Sequence, residues 1–285
     1  MENILEINNL TKEYDNFKLK NINLTLPKGS IMGLVGKNGA GKSTTIKLIL
    51  NLIKRKSGSI KVFGLDNIKD EKEIKEQLGI VLEESYFHDN LTSKDISMIM
   101  RRIYKNWDEA LFQSHMKNFN LPEKKTIEEY SKGMKMKLSI AVALSHHPKL
   151  LILDEATSGL DPLARNEILD VFLDFIQDEN RSILISSHII SDLEKAADYI
   201  TFIHQGEIIF SEEKDNLLES YGILKCGLED FNSLDKESII SFERSSFNYN
   251  VLVKDKYNLQ RKYSNYIIDK PKLEDIMLLY DRRDS

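Results

Sequence analysis

The stretch that decides the fold reads Gly36-Lys37-Asn38-Gly39-Ala40-Gly41-Lys42-Ser43-Thr44, and it satisfies the pattern G-x-x-x-x-G-K-[ST]. A compact apolar run ending at Val35 precedes it, and apolar residues at helical spacing follow it from Ile46. Glycines let successive backbone N–H groups turn inward around an anion, and the start of the following helix adds partial positive charge. The stretch therefore predicts a loop, between a strand and a helix, that binds the phosphates of a nucleotide.

Two side chains of this loop have specific predicted roles. Lys42 is placed to reach the β- and γ-phosphates, and the Ser43 hydroxyl is placed to ligate Mg²⁺. The nucleotide-binding candidates of the loop are Gly36, Asn38, Gly39, Ala40, Gly41, Lys42, Ser43 and Thr44. Kinases, GTPases and motor ATPases all share such a loop, so the rest of the chain must identify the reaction.

A second apolar run ends in two carboxylates. Residues 150–153 read as a buried strand, and Asp154 and Glu155 follow it directly. Beside a phosphate loop, Asp154 is predicted to serve the Mg²⁺ ion, and Glu155 to orient and deprotonate the attacking water. Without the phosphate loop, the two acids could be an incidental strand-to-loop transition. With it, the pair predicts nucleotide hydrolysis.

Strand and helix patterns divide the chain into three predicted parts. Residues 1–84 and 148–212 alternate strands with helices, which predicts a parallel sheet covered on both faces. Residues 85–147 instead carry helical periods and predict a helical insert. Residues 213–285 combine strand-like stretches with a short helix and predict a small α+β extension.

Composition excludes several classes of protein. The 285 residues carry 40 Lys and Arg against 45 Asp and Glu, a net charge of −5, whereas nucleic-acid binders usually carry a basic surplus. The single cysteine, Cys226, excludes an intramolecular disulfide and a cysteine-based zinc cluster. No apolar run approaches the ~18 residues of a membrane span. We therefore expect no nucleic-acid partner, and any membrane-spanning part on another polypeptide.

Three further motifs complete an ordered set. The first is Tyr130-Ser131-Lys132-Gly133-Met134, the second is Ser158-Gly159-Leu160-Asp161, and the third is Ser186-Ser187-His188. Together with the phosphate loop and the acidic strand end, they stand in the order and at the spacing of the ATP-binding subunits of ABC transporters. The chain resembles that family over about residues 4–211.

The resemblance implies an α/β fold, with a P-loop (RecA-like) ABC ATPase core and an antiparallel β subdomain. It also implies an inserted α-helical subdomain that carries the signature motif, and it leaves residues 213–285 as a small C-terminal α+β extension. The core would comprise 1–84 and 148–212, and the insert 85–147. The implied activity is ATP hydrolysis, with ATP and Mg²⁺ as the bound species.

Three positions carry roles that the resemblance implies within one chain. Tyr14 resembles the aromatic residue that stacks on adenine; the alternative is a half-buried tyrosine at a strand end, with Phe17 as the nearest substitute. Glu155 stands at the place of the catalytic base, and His188 resembles the switch histidine that contacts the γ-phosphate. We count Glu155 and His188 as the candidate catalytic residues.

Four positions carry roles that the resemblance implies between two copies of the chain. Ser131, Lys132 and Gly133 stand where the signature contacts the γ-phosphate held by the other protomer, and Asp161 resembles the aspartate of the D-loop, residues 158–161, which links the two sites. The implied assembly is a head-to-tail homodimer that sandwiches two ATP molecules.

Two positions depart from the common family pattern. Glu83 stands where a glutamine usually ligates Mg²⁺, and Lys132 replaces the first glycine of the signature. Glu83 remains a candidate metal ligand, together with Ser43 and Asp154. A carboxylate adds negative charge near the γ-phosphate, so one hypothesis is that Lys132 of the opposite protomer offsets Glu83. The alternative is a lysine that simply points to solvent at the start of a helix.

The resemblance also implies separate transmembrane permease subunits, and hence a location on the cytoplasmic face of the membrane. A groove near residues 83–104 would receive them, with Tyr86, Phe87 and Leu91 as candidates for its apolar floor. The end of the chain resembles bacterial exporter ATPases for drugs, antimicrobial peptides and phenol-soluble modulins. This favours export of peptide, drug or lipid-like amphipathic cargo. An importer ATPase and a soluble non-transport ABC ATPase remain alternatives.

Overall fold

The computed structural model describes residues 2–83, 87–244, 248–262 and 266–281. The chain divides into two compact units, Met1–Ser211 and Glu212–Ser285. Among the residues described, no helix is both long enough and apolar enough to cross a membrane.

The described residues before position 214 form ten strands. In chain order they are β1 (Asn3–Tyr14), β2 (Phe17–Pro27), β3 (Ile31–Val35), β4 (Ser57–Val62), β5 (Leu65–Asp66), β6 (Leu78–Val81), β7 (Leu150–Asp154), β8 (Ser182–Ser187), β9 (Tyr199–His204) and β10 (Glu207–Glu213). They form two sheets. One has the order β2-β1-β4-β5 with antiparallel pairs, and the other has the order β10-β9-β3-β8-β7-β6.

In the same part of the chain, the residues that the structure describes form seven α-helices. They are α1 (Lys42–Ile49), α2 (Glu71–Lys75), α3 (Ser93–Ile103), α4 (Glu109–Asn118), α5 (Lys132–Leu144), α6 (Pro162–Phe175) and α7 (Ile190–Ala196). Helices α3, α4 and α5 lie between β6 and β7 along the chain, which is the part where the sequence carries helical periods. Side chains cap these three helices: Thr92, Asp108 and Ser131 each accept a hydrogen bond from a backbone N–H of the first turn.

The larger sheet positions the functional residues. Strands β3 and β7 are buried at every residue, as expected for parallel strands covered on both faces. Strands β6, β7, β8, β3 and β9 pair in parallel, and Asp154 at the end of β7 lies beside Ser186 near the end of β8. Their carboxyl ends therefore meet at one edge of the sheet, where ligands bind in sheets of this kind.

The second unit contains a four-stranded antiparallel sheet. Its elements are α8 (Lys214–Ser220), β11 (Tyr221–Cys226), α9 (Leu228–Ser233), β12 (Ile239–Arg244), β13 (Tyr249–Lys254), α10 (Lys256–Lys262), β14 (Ile267–Asp269) and α11 (Leu273–Asp281). From β11 to β14 the order along the chain is β-α-β-β-α-β, and the order in the sheet is β12-β13-β11-β14. This is the ferredoxin-like arrangement. Such a topology does not by itself indicate an activity.

Candidate active site

A cavity of about 910 Å³ lies beside the phosphate loop. Its lining includes eight of the residues predicted to bind nucleotide or metal and both predicted catalytic residues: Tyr14, Asn38, Gly39, Gly41, Lys42, Ser43, Thr44 and Glu83, with Glu155 and His188. The first unit thus brings together residues more than 170 positions apart in the sequence.

The phosphate loop leads directly into α1. Gly41 adopts a φ of 120°, and a Cβ at this position would lie 2.8 Å from Cδ1 of Leu19, so only glycine fits here. Helix α1 begins at Lys42 and receives no side-chain cap. Its free N–H groups and the positive end of its dipole are therefore available to an anion.

Three oxygen atoms surround the side-chain nitrogen of Lys42, one of them the carbonyl oxygen of Lys37, to which it donates at 3.5 Å. Its side chain is only 5% exposed, and Nζ donates to the carbonyl oxygen of Gly36 at 2.8 Å and lies 3.2 Å from Oε1 of Glu155. A buried ammonium group needs such partners because desolvation is costly. These contacts hold the ammonium group of Lys42, which is predicted to bind phosphates, in one position within the loop.

A hydroxyl and a carboxylate meet where the sequence predicts the metal. Ser43 Oγ donates to Oδ1 of Asp154 at 3.2 Å, and Ser186 Oγ donates to the same oxygen at 2.5 Å. Hydroxyl and carboxylate oxygens are the donors that Mg²⁺ prefers. Ser43 and Asp154 therefore fit this ion. Glu83 lines the same cavity and adds a second carboxylate.

Glu155 follows β7 in a left-handed backbone conformation, with a φ of 53°. A residue with a Cβ adopts this region at a cost of about 1–3 kcal/mol. Two bonds hold it there, because its N–H donates to the carbonyl oxygen of Ser186 at 3.1 Å and to Oγ of the same serine at 3.2 Å. Its carboxylate is nearly buried, and Oε2 lies 2.7 Å from Nδ1 of His188. This geometry suits a general base held in one orientation.

Similarity to known proteins identifies the family. A model of the ABC transporter family matches residues 19–158. The bacitracin transport ATP-binding protein BcrA of Bacillus licheniformis is 37% identical over 220 residues, covering 76% of this chain and 72% of that protein. The lantibiotic transport ATP-binding protein SrtF of Streptococcus pyogenes is 37% identical over 215 residues, covering 74% of this chain and 92% of that protein. The chain belongs to the ABC transporter family.

A solved structure of an ATP-binding subunit of an ABC transporter matches with a TM-score of 0.70 at 27% identity, covering 76% of this chain and 92% of that chain. The predicted fold class and family are therefore confirmed. The protein is an exporter-type ABC ATPase subunit that binds and hydrolyses ATP. The importer and the soluble non-transport ATPase are not favoured.

Three residues that line the nucleotide cavity, Asn16, Lys37 and Ser158, were not among the predicted binding or catalytic residues, although Lys37 and Ser158 belong to the predicted phosphate loop and D-loop. Phe17, the predicted substitute for Tyr14, also lines the cavity, and its ring centroid lies 6.5 Å from that of Tyr14. Ser186 bonds both acids from the neighbouring strand. The feature of the sequence that could have identified Ser186 is its position near the end of a strand, two residues before His188.

The signature and Asp161 lie apart from this cavity, whereas Ser158 at the start of the D-loop lines it. Of the residues described as lining it, none is Ser131, Lys132, Gly133 or Asp161. Ser131 Oγ accepts from the N–H of Met134 at 3.2 Å.

Asp161 caps the next helix in the same way. Its Oδ1 accepts from the N–H groups of Ala164 and Leu163, both at 3.0 Å. These bonds hold the pKa of Asp161 below its usual range, the Ala164 N–H contributing most. Both segments are thus anchored at the N-termini of helices α5 and α6.

The predicted permease groove is described in part. Tyr86 lies outside the described residues, and Phe87 and Leu91 are partly buried. A separate cavity of about 620 Å³ is lined by α2 residues, by Ile80 of β6, and by Ile103 and Tyr104 at the end of α3. Helix α3 also exposes the apolar side chains of Met98 and Ile99.

Proposed function

We propose that two copies of this ATPase subunit close head to tail around two ATP molecules and thereby drive export of an amphipathic peptide or a similar antibiotic. One observation carries the dimer: the cavity gathers the phosphate loop and the strand-end acids, whereas the signature and Asp161 lie outside its lining. Groups that would complete the site must then come from a second copy. Ser131 and Gly133 would reach the γ-phosphate held there, with Lys132 beside them.

Within one copy, the proposed roles follow from the bonds described above. Lys42 would bind the β- and γ-phosphates from its position 2.8 Å from the Gly36 carbonyl oxygen. Tyr14, which is 47% exposed at the cavity, would stack on the base. Glu155 would accept a proton from the attacking water while His188 holds its carboxylate at 2.7 Å.

Mg²⁺ would be held by Ser43, Asp154 and Glu83. The ion would supply positive charge that neutralises the phosphate oxygens during transfer. The hydroxyl–carboxylate contact at 3.2 Å between Ser43 and Asp154 supports this assignment.

The partner outside the dimer would be a pair of transmembrane permease subunits. The apolar residues exposed on α3 and the cavity at its end support a docking groove there. Such docking would hold the subunit on the cytoplasmic face of the membrane. The names of the relatives, which transport bacitracin and a lantibiotic, support a peptide antibiotic as cargo.

The dimer is tested with the Glu155→Gln variant, which keeps the shape of the side chain but lacks the base. We expect it to be monomeric without ATP and dimeric with Mg-ATP, measured by sedimentation velocity. The matched control is Glu155→Gln combined with Lys42→Met, which should stay monomeric with ATP. A Glu155→Gln chain that remains monomeric at saturating Mg-ATP contradicts the proposal.

The cargo is tested in a strain from which the gene has been deleted. We expect the wild-type gene, but not the Glu155→Gln variant, to restore resistance to bacitracin or to a lantibiotic. Equal sensitivity of the two complemented strains to all such peptides would reject this cargo class while leaving the dimer intact.

A further inference from the structure

The signature and the D-loop of the same chain touch each other at two glycines. Nζ of Lys132 lies over Gly159, since a Cβ built on Gly159 would lie 2.8 Å from Nζ and 3.5 Å from Cε of that lysine. One residue further along α5, a Cβ built on Gly133 would lie 3.6 Å from Cδ2 of Leu160. The first turn of α5 therefore rests on the D-loop.

Lysine is an unfavourable choice at the start of α5. Lys132 is the first residue of the helix after the cap Ser131, and the first turn contains no acidic residue. A positive charge at this end opposes the helix dipole. Lys135 in the same turn lies 3.2 Å from Asp89, whereas the end of the Lys132 side chain lies against the D-loop. Local choices that oppose local stability are expected at functional positions.

Gly159 is equally specific to this contact. Its φ of +71° lies in the left-handed region that favours glycine. A side chain there would also meet the lysine ammonium at 2.8 Å. The glycine thus permits the turn of the D-loop and leaves the space that Lys132 fills.

We propose that Lys132 is a positioning residue that ties the signature to the D-loop of its own chain, so that both segments meet the second copy as one surface. The inference rests on the proposed head-to-tail dimer. It differs from the hypothesis that Lys132 offsets the charge of Glu83 in the opposite protomer, because the tie lies within one chain.

The first test measures ATP-driven dimerisation in the Glu155→Gln background. Removing one member of a contacting pair commonly changes a coupled equilibrium by about tenfold. We therefore expect Lys132→Gly to weaken the dimer about tenfold and Lys132→Arg to restore it. The matched control is Lys135→Gly, which removes a lysine from the same turn without touching the D-loop. It should dimerise like the parent, and equal weakening by both glycine variants overturns the tie.

The second test is a pair of double-mutant cycles. We expect the effects of Lys132→Gly and Gly159→Ala to be non-additive, because in the glycine variant the new methyl group has no lysine to displace. The effects of Lys132→Gly and Glu83→Gln should be additive. The reverse pattern overturns the tie and supports the charge hypothesis instead.

The third test needs no dimer. In the ATP-free monomer, we expect Lys132→Gly to shift the amide resonance of Gly159 in a nitrogen–proton correlation spectrum, and Lys135→Gly to leave it in place. An unmoved Gly159 resonance overturns the contact. If the contact is present but the Glu155→Gln parent never dimerises with ATP, the proposed dimer fails and the tie within the chain stands.

Discussion

Two groups of functional residues differ in how completely one chain assembles them. The phosphate loop and the strand-end acids form a connected network in which Lys42 is 5% exposed and Glu155 is 6% exposed. Ser131 and Lys132 are exposed, and Ser131 bonds only to the backbone of its own helix. We call the first group the assembled set and the second, which also includes Gly133 and Asp161, the presented set.

The difference arises because the assembled set lies at the ends of parallel strands, whereas the presented set lies at the N-termini of helices. Parallel strands bring several side chains to one edge of a sheet, so the assembled set can satisfy its buried charges within the chain. A helix N-terminus instead offers N–H groups outward, and Ser131 and Asp161 satisfy only some of them. The residues of the assembled set therefore meet within one chain, whereas the presented set lies at an exposed surface where, in the proposed dimer, a second copy would meet it.

The largest expected effect comes from removing the charge of the assembled set. Lys42→Met leaves Glu155 buried without the ammonium 3.2 Å away and removes the charge proposed to bind the phosphates. We expect the rate of ATP hydrolysis to fall by at least ~10³-fold. Circular dichroism should show a folded chain. Hydrolysis within tenfold of the wild-type rate would contradict this prediction, because the network around Lys42 would then be dispensable for catalysis.

A smaller effect is expected from the serine that joins the two acids. Ser186→Ala removes the donor to Asp154 at 2.5 Å and an acceptor for the Glu155 N–H at 3.2 Å. We expect the free energy of unfolding to fall by about 1–3 kcal/mol, and kcat to fall more than the affinity for ATP. The matched control is Ser187→Ala, whose hydroxyl bonds Ile189 and neither acid. Equal kcat values for the two variants would remove Ser186 from the assembled set.

Tyr14 lines the same cavity as the assembled set, but its side chain is exposed. Stacking of a base on an aromatic ring contributes about 1–3 kcal/mol, so Tyr14→Ala should weaken ATP binding about tenfold while Tyr14→Phe keeps most of the affinity. Isothermal titration with the hydrolysis-deficient Glu155→Gln chain measures both. If Tyr14→Ala binds normally, Phe17→Ala identifies whether the ring 6.5 Å away takes the base instead.

The two sets also differ in what the sequence alone could predict. The phosphate loop, Asp154 and Glu155 follow from local patterns, since a strand, a glycine loop and a helix in succession leave little freedom. The role of Ser186 depends on the pairing of Asp154 with Ser186 across two strands. That register is set by packing of the whole sheet, and no local pattern contains it.

The contacts of the presented set were harder still to predict. The sequence identifies Lys132 as a departure, yet its position over Gly159 depends on how α5 lies against the loop before α6. The β-α-β-β-α-β order of the second unit was predicted only as α+β, because β14 has three residues and β12 is irregular. Short strands carry too little alternation to reveal their pairing.

A smaller effect is expected at Ser131, where two substitutions distinguish its role as a helix cap from a contact with phosphate. Ser131→Ala removes the acceptor for the Met134 N–H, and loss of such a cap costs about 1 kcal/mol, whereas glycine at the same position costs only a few tenths. We expect Ser131→Ala to be less stable in urea than Ser131→Gly, while both lose hydrolysis to the same extent. Hydrolysis that follows stability instead would reduce Ser131 to a cap.

The smallest expected effect concerns a residue that belongs to neither set. His146 is 1% exposed, its ring is stacked 3.8 Å from that of Tyr104, and Nε2 lies 2.9 Å from the carbonyl oxygen of Leu78. It thereby joins the helical insert to the edge strand β6. Burial lowers the pKa of His146 below the ordinary value of 6.5. As the pH falls below about 6.5, the unfolded chain therefore binds a proton at this residue before the folded chain does.

The contribution of His146 to stability is therefore complete above about pH 6.5 and is lost as the pH falls through its lowered folded-state pKa. Urea unfolding at pH 8, 6 and 5 should give a shallower decline for His146→Gln than for the wild type. The decline should not vanish, because burial also lowers the pKa of His115, and the double variant should be flatter again. Parallel curves for the wild type and His146→Gln would contradict this prediction, because protonation of His146 would then not lower the free energy of unfolding.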